Sequence, residues 1–520
     1  MEGATRMSQR AQQTDQLVQQ ARHLQSLGRA AEAEQVYRHV LAVDPGHDAA
    51  AHGLGVLALQ AGQNLAALAC LDQAIAGKPS AALYHLHRAH ALLGLGRFEE
   101  AIAACNTALR YKRNSAETYQ ALGHALTDSG QPAKALAAYR DALRLDPALP
   151  DIHNNLGTAL RNTNRLEEAE ARLREALRRA PRDTGVMANL SSVLKELGKV
   201  EAAETCLRDG LRLNPTDPVL LYNQGLLMLL MGHFAAGWRG FEHRFRARAV
   251  PARGLRQPEW QGETLGDRTL LVHAEQGLGD IIQFCRFLPL IQGRIVFEAP
   301  WPMLRLLSSL PGAPPMVAAG EALPPFDLVC PLMSLPHRFG IPVEAATVPY
   351  LAAEADRIAH WRDRIGSGGF KVGIAWQGNP NRHEDKGRSV TLTQFAPLAK
   401  VPGVRLISLQ RGFGAEQCLS LPAVEGFDAS FDGGTDAFLD TAAVMASLDL
   451  VISTDTAVAH LAGALGHKVW LPLRFVPDWR WMLGRSDSPW YPTMRLFRQI
   501  RRDDWAPVFA AMAQALAELA

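Results

Sequence analysis

The chain has 520 residues, which at ~150 residues per domain makes three to four units with ample material for cores. Its 54 Lys and Arg against 52 Asp and Glu leave a net charge of +2, too small for a broad field that would hold nucleic acid or anionic lipid. The polar start, Met1 to Gln19, and the shortness of the most apolar run, Leu226 to Met231, lead to the expectation of a cytoplasmic protein with no membrane span. Six scattered cysteines (Cys70, Cys105, Cys206, Cys285, Cys330, Cys418) contain no C-x-x-C pair and read as buried thiols, not as a zinc or disulfide framework.

A period sets in from about Thr14. Pro45, Pro79, Pro147, Pro181 and Pro215 stand on a 34-residue grid, with Arg113 on the missing beat. Ala33, Ala67, Ala101, Ala135, Ala169 and Ala203 keep the same interval, followed seven residues later by Ala74, Ala108, Ala142 and Ala176. With Leu54-Gly55, Leu122-Gly123, Leu156-Gly157 and aromatics such as Tyr37 and Tyr139, this pattern resembles the tetratricopeptide repeat. The physics agrees, because small residues let paired helices approach and proline, lacking an N–H, ends one helix before the next begins. Six repeats run from about Thr14 to Asp217, and a seventh begins near Pro218 and degenerates around Gly237 to Phe241, so the superhelix is expected over 14–247. Asn155, Asn189 and Asn223 share one repeat position. They either form an amide ladder able to pair with an extended acceptor backbone or satisfy local carbonyls. A similar ladder lines the repeat groove of the O-linked N-acetylglucosamine transferases, and that resemblance implies a protein acceptor held there.

Residues 248–266, rich in Pro, Gly and Arg, read as a connector. The period then changes to short apolar runs alternating with amphipathic stretches. Strands are expected at Thr269 to Ala274, Arg294 to Glu298, Asp327 to Cys330, Lys371 to Trp376, Val404 to Leu409, Leu448 to Ser453 and Lys468 to Leu471. Buried strands alternating with helices imply parallel sheets covered on both faces, here two Rossmann-like lobes at 267–355 and 370–520, making the class α + α/β. A helix is expected over Ile281 to Ile291, and the last one, Trp505 to Leu519, is expected to return to the first lobe. A ligand cleft belongs between the lobes, at the carboxyl ends of the strands.

The most informative stretch is Leu450 to Gly466, where an apolar strand runs into Ser453-Thr454-Asp455-Thr456 and then a helix carrying His460. Capping hydroxyls and free N–H groups at that helix start suit an anion such as a diphosphate, with His460 about one turn in; a plain N-cap with a structural histidine is the alternative. Asp280, after Glu275-Gln276-Gly277-Leu278-Gly279, is either a reacting carboxylate or a cap for its helix. Trp479, Trp481 and Trp490 either wall a pocket by stacking or buttress a loop, and Gln410 is a candidate nucleoside contact.

The Leu450 to Gly466 segment also resembles the donor-binding segment of glycosyltransferase family 9, the heptosyltransferases, over residues 268–520. That resemblance implies a GT-B fold, with Gly279-Asp280 matching the Gly-Asp pair that supplies the catalytic base; failing Asp280, Glu275 is the candidate to take the acceptor's proton. It further implies a basic residue on the donor phosphates, here Lys386 or Arg388; with Gly277, Gly279, Gln377, Ser389, Gln410, Thr454, Asp455, Thr456 and His460 these make the expected donor set. The Glu-Gln-Gly-Leu-Gly-Asp string, Pro477 to Trp481 and Asp487 to Pro492 resemble bacterial proteins that join tetratricopeptide repeats to such a transferase, some proposed to glycosylate flagellin. No Asp-x-Asp occurs between Asp267 and Ala520, so no metal and no cofactor is expected beyond a nucleotide-sugar substrate. The expected function is an inverting, metal-independent transfer of sugar to a protein hydroxyl such as a flagellin Ser/Thr. A lipid-linked or polysaccharide glycan acceptor, or a scaffold with a degenerate transferase domain, are the alternatives.

Overall fold

A computed structural model describes residues 2–340, 347–380, 385 and 387–520, with side chains from residue 10 onward except residue 11. The chain divides into two compact units, Met1–Val193 and Leu194–Ala520.

The first unit is a run of antiparallel helix pairs: Glu2–Ser26 with Ala30–Val43, Asp48–Gln60 with Asn64–Gly77, Ala82–Gly94 with Phe98–Tyr111, Ala116–Asp128 with Pro132–Leu145, and Ile152–Asn162 with Leu166–Arg179. The alanines on the 34-residue grid are fully buried, because only a methyl fits between the paired helices. Glycine is required at Gly53, where a Cβ would lie 2.3 Å from the Tyr37 ring. Each hairpin turn needs one left-handed residue, supplied by Gly28, Gly62, Gly96 and Gly130 at φ near +70° and, on the same grid, by Asn164 at φ 59°.

The second unit opens with helices Val200–Leu213, Pro218–Leu230 and Phe234–Phe241, whose last pair does not stay a repeat. Leu229, Leu230, Trp238 and Phe241 enter one core with the α/β residues Phe284, Trp479 and Trp490. Four parallel strands, β1 (Thr269–His273), β2 (Arg294–Ala299), β3 (Met316–Ala318) and β4 (Leu328–Pro331), form a sheet in the order β3-β2-β1-β4. Six more parallel strands follow: β5 (Phe370–Ala375), β6 (Val404–Ser408), β7 (Val424–Glu425), β8 (Leu450–Ser453), β9 (Val469–Leu473) and β10 (Met494–Arg498). Their order, β10-β9-β8-β5-β6-β7, reverses between β5 and β8, which creates a crevice at the carboxyl ends of those two strands.

Two expectations are corrected. The C-terminal helix, Ala506–Ala517, does not return to the first sheet; Val508, Phe509, Met512 and Leu516 pack with Val372, Ile374 and Trp376 on the second. The helix expected over Ile281 to Ile291 is α-helical only at Leu278–Phe284 and tightens to a 3-10 turn at Cys285–Leu290, where Pro289 removes a donor. Among the described residues, no helix is long and apolar enough to cross a membrane.

Candidate functional site

The carboxyl ends of β1, β5, β6, β8 and β9 open on one cavity of about 940 Å³, within the second unit. After β1 the chain turns through Gln276, held left-handed at φ 63°, and enters helix Leu278–Phe284. After β8 it enters helix Ala457–Ala464, with Thr456 extended at the N-cap. The two helices touch at Gly279, where a Cβ would meet His460 Cδ2 at 3.1 Å and Ala457 Cα at 3.4 Å. This close approach sets Asp280 and Thr456 in the same wall.

Asp280 uses both oxygens. Oδ2 accepts from the Gly277 N–H at 2.7 Å, closing the first helical turn, and Oδ1 takes the Arg480 Nη2. Burial pushes its pKa up from the ordinary aspartate value, against the opposing pull of Arg480. Arg480, from the loop after β9, also bonds Gln283 Oε1 through Nε at 2.6 Å and Asp478 Oδ1 through Nη1 at 2.9 Å, and its guanidinium lies 4.2 Å from the Trp479 ring centroid. Asp455 is buried at the cavity wall, and burial raises its carboxyl above the ordinary value despite Arg388 and Arg480 nearby. His460 stacks on Trp481 and places Nδ1 3.0 Å from the Tyr491 hydroxyl; burial keeps it neutral well below the usual histidine range.

From the second sheet come Gln377, Gly378 and Asn379 after β5, Arg388 beyond them, and Gln410, Arg411 and Phe413 after β6. Arg388 Nε makes no hydrogen bond among the described residues and stands 3.8 Å from Asp385. The Gln410 amide is spent on the backbone: Oε1 accepts from the N–H groups of Trp376 and Gln377, and Nε2 donates to the carbonyls of Gln377 and Phe413. It therefore shapes a wall. That bracing presents Phe413 at the cavity, the residue 48% exposed, an unusual place for a large apolar ring.

Of the residues expected from sequence, Gly277, Gly279, Asp280, Gln377, Arg388, Gln410, Asp455, Thr456 and His460 line the cavity. Glu275 does not: Arg244 grips both its oxygens, at 2.7 and 2.9 Å, and the Met333 N–H donates to Oε1, leaving the side chain 4% exposed. Thr454 is fully buried behind the wall, with its N–H on the Ala375 carbonyl. Ser389 is also behind it, accepting from the Gly378 N–H and donating to Asp385. Lys386 lies outside the described residues. The tryptophans buttress: Trp479, Trp481 and Trp490 are buried in the core, and none lines the cavity. Sequence reading passed over Arg480 and Asp478 as site residues, and Phe413 altogether; the Trp-Arg-Trp string was the available signal for Arg480. Among the described residues, no group of three or more His, Cys, Asp or Glu is placed to hold a metal ion.

In the first unit, Asn189 Nδ2 donates to Asn154 Oδ1 at 2.9 Å, and the buried Nδ2 of Asn155 makes no hydrogen bond among the described residues. Three repeat lengths earlier the same contact is made by imidazoles, His52 Nε2 to His87 Nδ1 at 2.7 Å. Asn223 sits in helix Pro218–Leu230 of the second unit.

Comparison with known proteins identifies tetratricopeptide repeats between residues 52 and 217. Residues 52–116, 154–180 and 184–217 match families described as tetratricopeptide repeat, and residues 123–163 one described as TPR repeat. A particular relative is Protein FlbA of Caulobacter vibrioides, 26% identical over 346 residues, covering 58% of this chain and 55% of FlbA. The chain thus spans about half the length of that curated relative. Similar solved structures include a tetratricopeptide repeat protein from Parabacteroides merdae (16% identical, TM-score 0.39, covering 47% of this chain and 95% of that one). Another is YrrB, described as a TPR protein with an unusual peptide-binding site (19% identical, TM-score 0.31, covering 36% and 96%).

Proposed function

We propose that the second unit is a GT-B glycosyltransferase that moves a sugar from a nucleoside diphosphate to a hydroxyl, with inversion and without a metal, and that the repeats recruit the protein bearing that hydroxyl. One observation carries the reading: Asp280 from the first sheet and Thr456 with Arg388 from the second face a single cavity at a topological switch point. The acceptor oxygen attacks the anomeric carbon as its proton passes to Asp280; the bond to the diphosphate breaks and its electron pair stays on the leaving phosphate oxygen. The N-terminus of helix Ala457–Ala464, Thr456 and the guanidiniums of Arg388 and Arg480 meet that charge. Phe413 is the ring on which the base stacks.

A second reading, a repeat scaffold with an inactive domain, draws on a different observation. Five aspartates (280, 432, 436, 455, 478) line the cavity against three arginines (388, 411, 480), a poor balance for an anion. The balance is closer than that count, because Asp432 is spent on the N–H groups of Asp440 and Thr441 and Asp436 pairs with Arg305, which lies outside the lining, leaving Asp280, Asp455 and Asp478 against the three arginines. Incubation with a panel of nucleotide sugars separates the two readings. The transferase hydrolyses or transfers from one donor, and Asp280→Ala loses that by roughly 10²-fold or more; a folded chain that turns over none of them is a scaffold.

A further inference from the structure

Both oxygens of Asp280 are engaged, one by its own helix and one by Arg480. A carboxylate clamped by a guanidinium is a weak base, since its proton affinity is spent on the ion pair. The same guanidinium lines the cavity in which a diphosphate would lie, and three of its four anchors do not involve Asp280: Gln283 on Nε, Asp478 on Nη1 and the Trp479 ring beneath it. Nη2 alone can change partner while the fork stays in place. Arginine offers phosphate the same planar pairing it offers carboxylate.

We propose that Arg480 is a positioning residue that exchanges Asp280 for the diphosphate of the donor, so that donor binding itself frees Asp280 to act as base. This rests on the reading of the cavity as a nucleotide-sugar site. The surroundings favour the exchange. Among the charged groups acting on Asp280, Arg480 stabilises its carboxylate while Asp478 and Glu275, the latter itself held by Arg244, oppose it. Once the Nη2 pairing moves to phosphate, the two carboxylates and the burial around Asp280 draw a proton toward it. His460, packed against Gly279, is neutral and contributes no charge. The acceptor's proton is accepted only when the leaving group is already seated, which protects the donor from wasteful attack.

The exchange predicts a raised proton affinity at Asp280, read as partial proton uptake when a nucleoside diphosphate, the product of transfer, binds. Titration calorimetry of the full chain with UDP, GDP, ADP and dTDP, near pH 6.5 in buffers of different ionisation enthalpy, reads it directly. The expected result is greater uptake by the wild type than by Asp280→Asn, whose amide oxygen still accepts from Gly277 and which binds the nucleotide at least as tightly because Arg480 is no longer held. Arg480→Gln binds roughly tenfold or more weakly, the loss of one charge-assisted contact, and Arg480→Lys retains part of that affinity, with melting curves establishing that all three fold. Equal proton linkage in wild type and Asp280→Asn, or undiminished affinity in folded Arg480→Gln, overturns the exchange while leaving the nucleotide site standing. Failure of the wild-type chain to bind any of the four removes the site and the exchange together.

Discussion

Two stretches of this chain follow one 34-residue pattern and end in different structures. Before Val193 the helix pairs bury alanines against tyrosine and leucine, and their ion pairs, such as Arg29 with Glu32 and Arg97 with Glu100, lie on the surface. After Leu194 the pair Pro218–Leu230 and Phe234–Phe241 keeps the hairpin, with Gly225 and Gly240 in backbone contact, but its outer residues are Trp238 and Phe241, followed by a fully buried Arg244. These join the α/β core and, through Arg244, fix Glu275 at the mouth of β1. The repeat phase dictates the hairpin, and the residues on its outer face decide what the hairpin packs against.

The largest effect that tests this contrast is at Arg244. Arg244→Met leaves Glu275 charged, buried and unpaired, and is expected to cost about 3–5 kcal/mol in the second unit. Arg97→Met, which breaks an exposed pair, is expected to leave stability almost unchanged, because solvent screens that pair. Urea titrations of the two variants side by side check it; similar small losses would show that the last hairpin is an ordinary repeat.

A smaller effect belongs to the first unit. Burial, reinforced by neighbouring imidazoles, lowers His52 and His90 to about 4. Between there and the unfolded value near 6.5 the unfolded chain binds protons that the folded chain refuses. The contribution of these two histidines to stability therefore falls as pH drops from about 6.5 to about 4 and is flat above. Amide exchange in helices Asp48–Gln60 and Ala82–Gly94 should quicken over that window, and His52→Asn with His90→Asn should flatten the response. An unchanged slope in the double variant would assign acid sensitivity elsewhere.

Much of this architecture was legible because it rests on local periods. The repeats show as a 34-residue grid, and the central strands of both sheets show as apolar runs. The strands that escaped are edges: β3 has three residues, β7 has two, and β10 interrupts Met494, Leu496 and Phe497 with Arg495 and ends on Arg498, so none makes a long continuous buried run. The C-terminal helix announced an apolar face but not which sheet would receive it. At the site, residues next to a strand end were legible, and those defined by distant pairing were not. Arg480 meets Asp280 and Gln283 across 200 and 197 residues of chain, a relation no local pattern carries. Glu275 read as a spare base because Arg244, its partner, lies 31 residues upstream in another element.

The smallest effect concerns the turn that both regions share. Gly28, Gly62, Gly96 and Gly130 before the boundary, and Gly198 and Gly232 after it, are left-handed, and Asn164 at φ 59° is the one non-glycine on that grid. Asparagine tolerates this conformation better than any residue with an ordinary side chain, whereas alanine pays roughly 1–2 kcal/mol for it. Asn164→Ala should destabilise the hairpin of Ile152–Asn162 and Leu166–Arg179 by about that much, and Asn164→Gly should stay within a few tenths of a kcal/mol, because relief of strain is offset by the freer unfolded chain. Denaturant midpoints for the pair of variants decide the point. If alanine is as well tolerated as glycine, the turn is held by the packing of its helices and the grid of glycines is a by-product of the repeat, so the contrast between the two regions would have to be sought wholly in their outer faces.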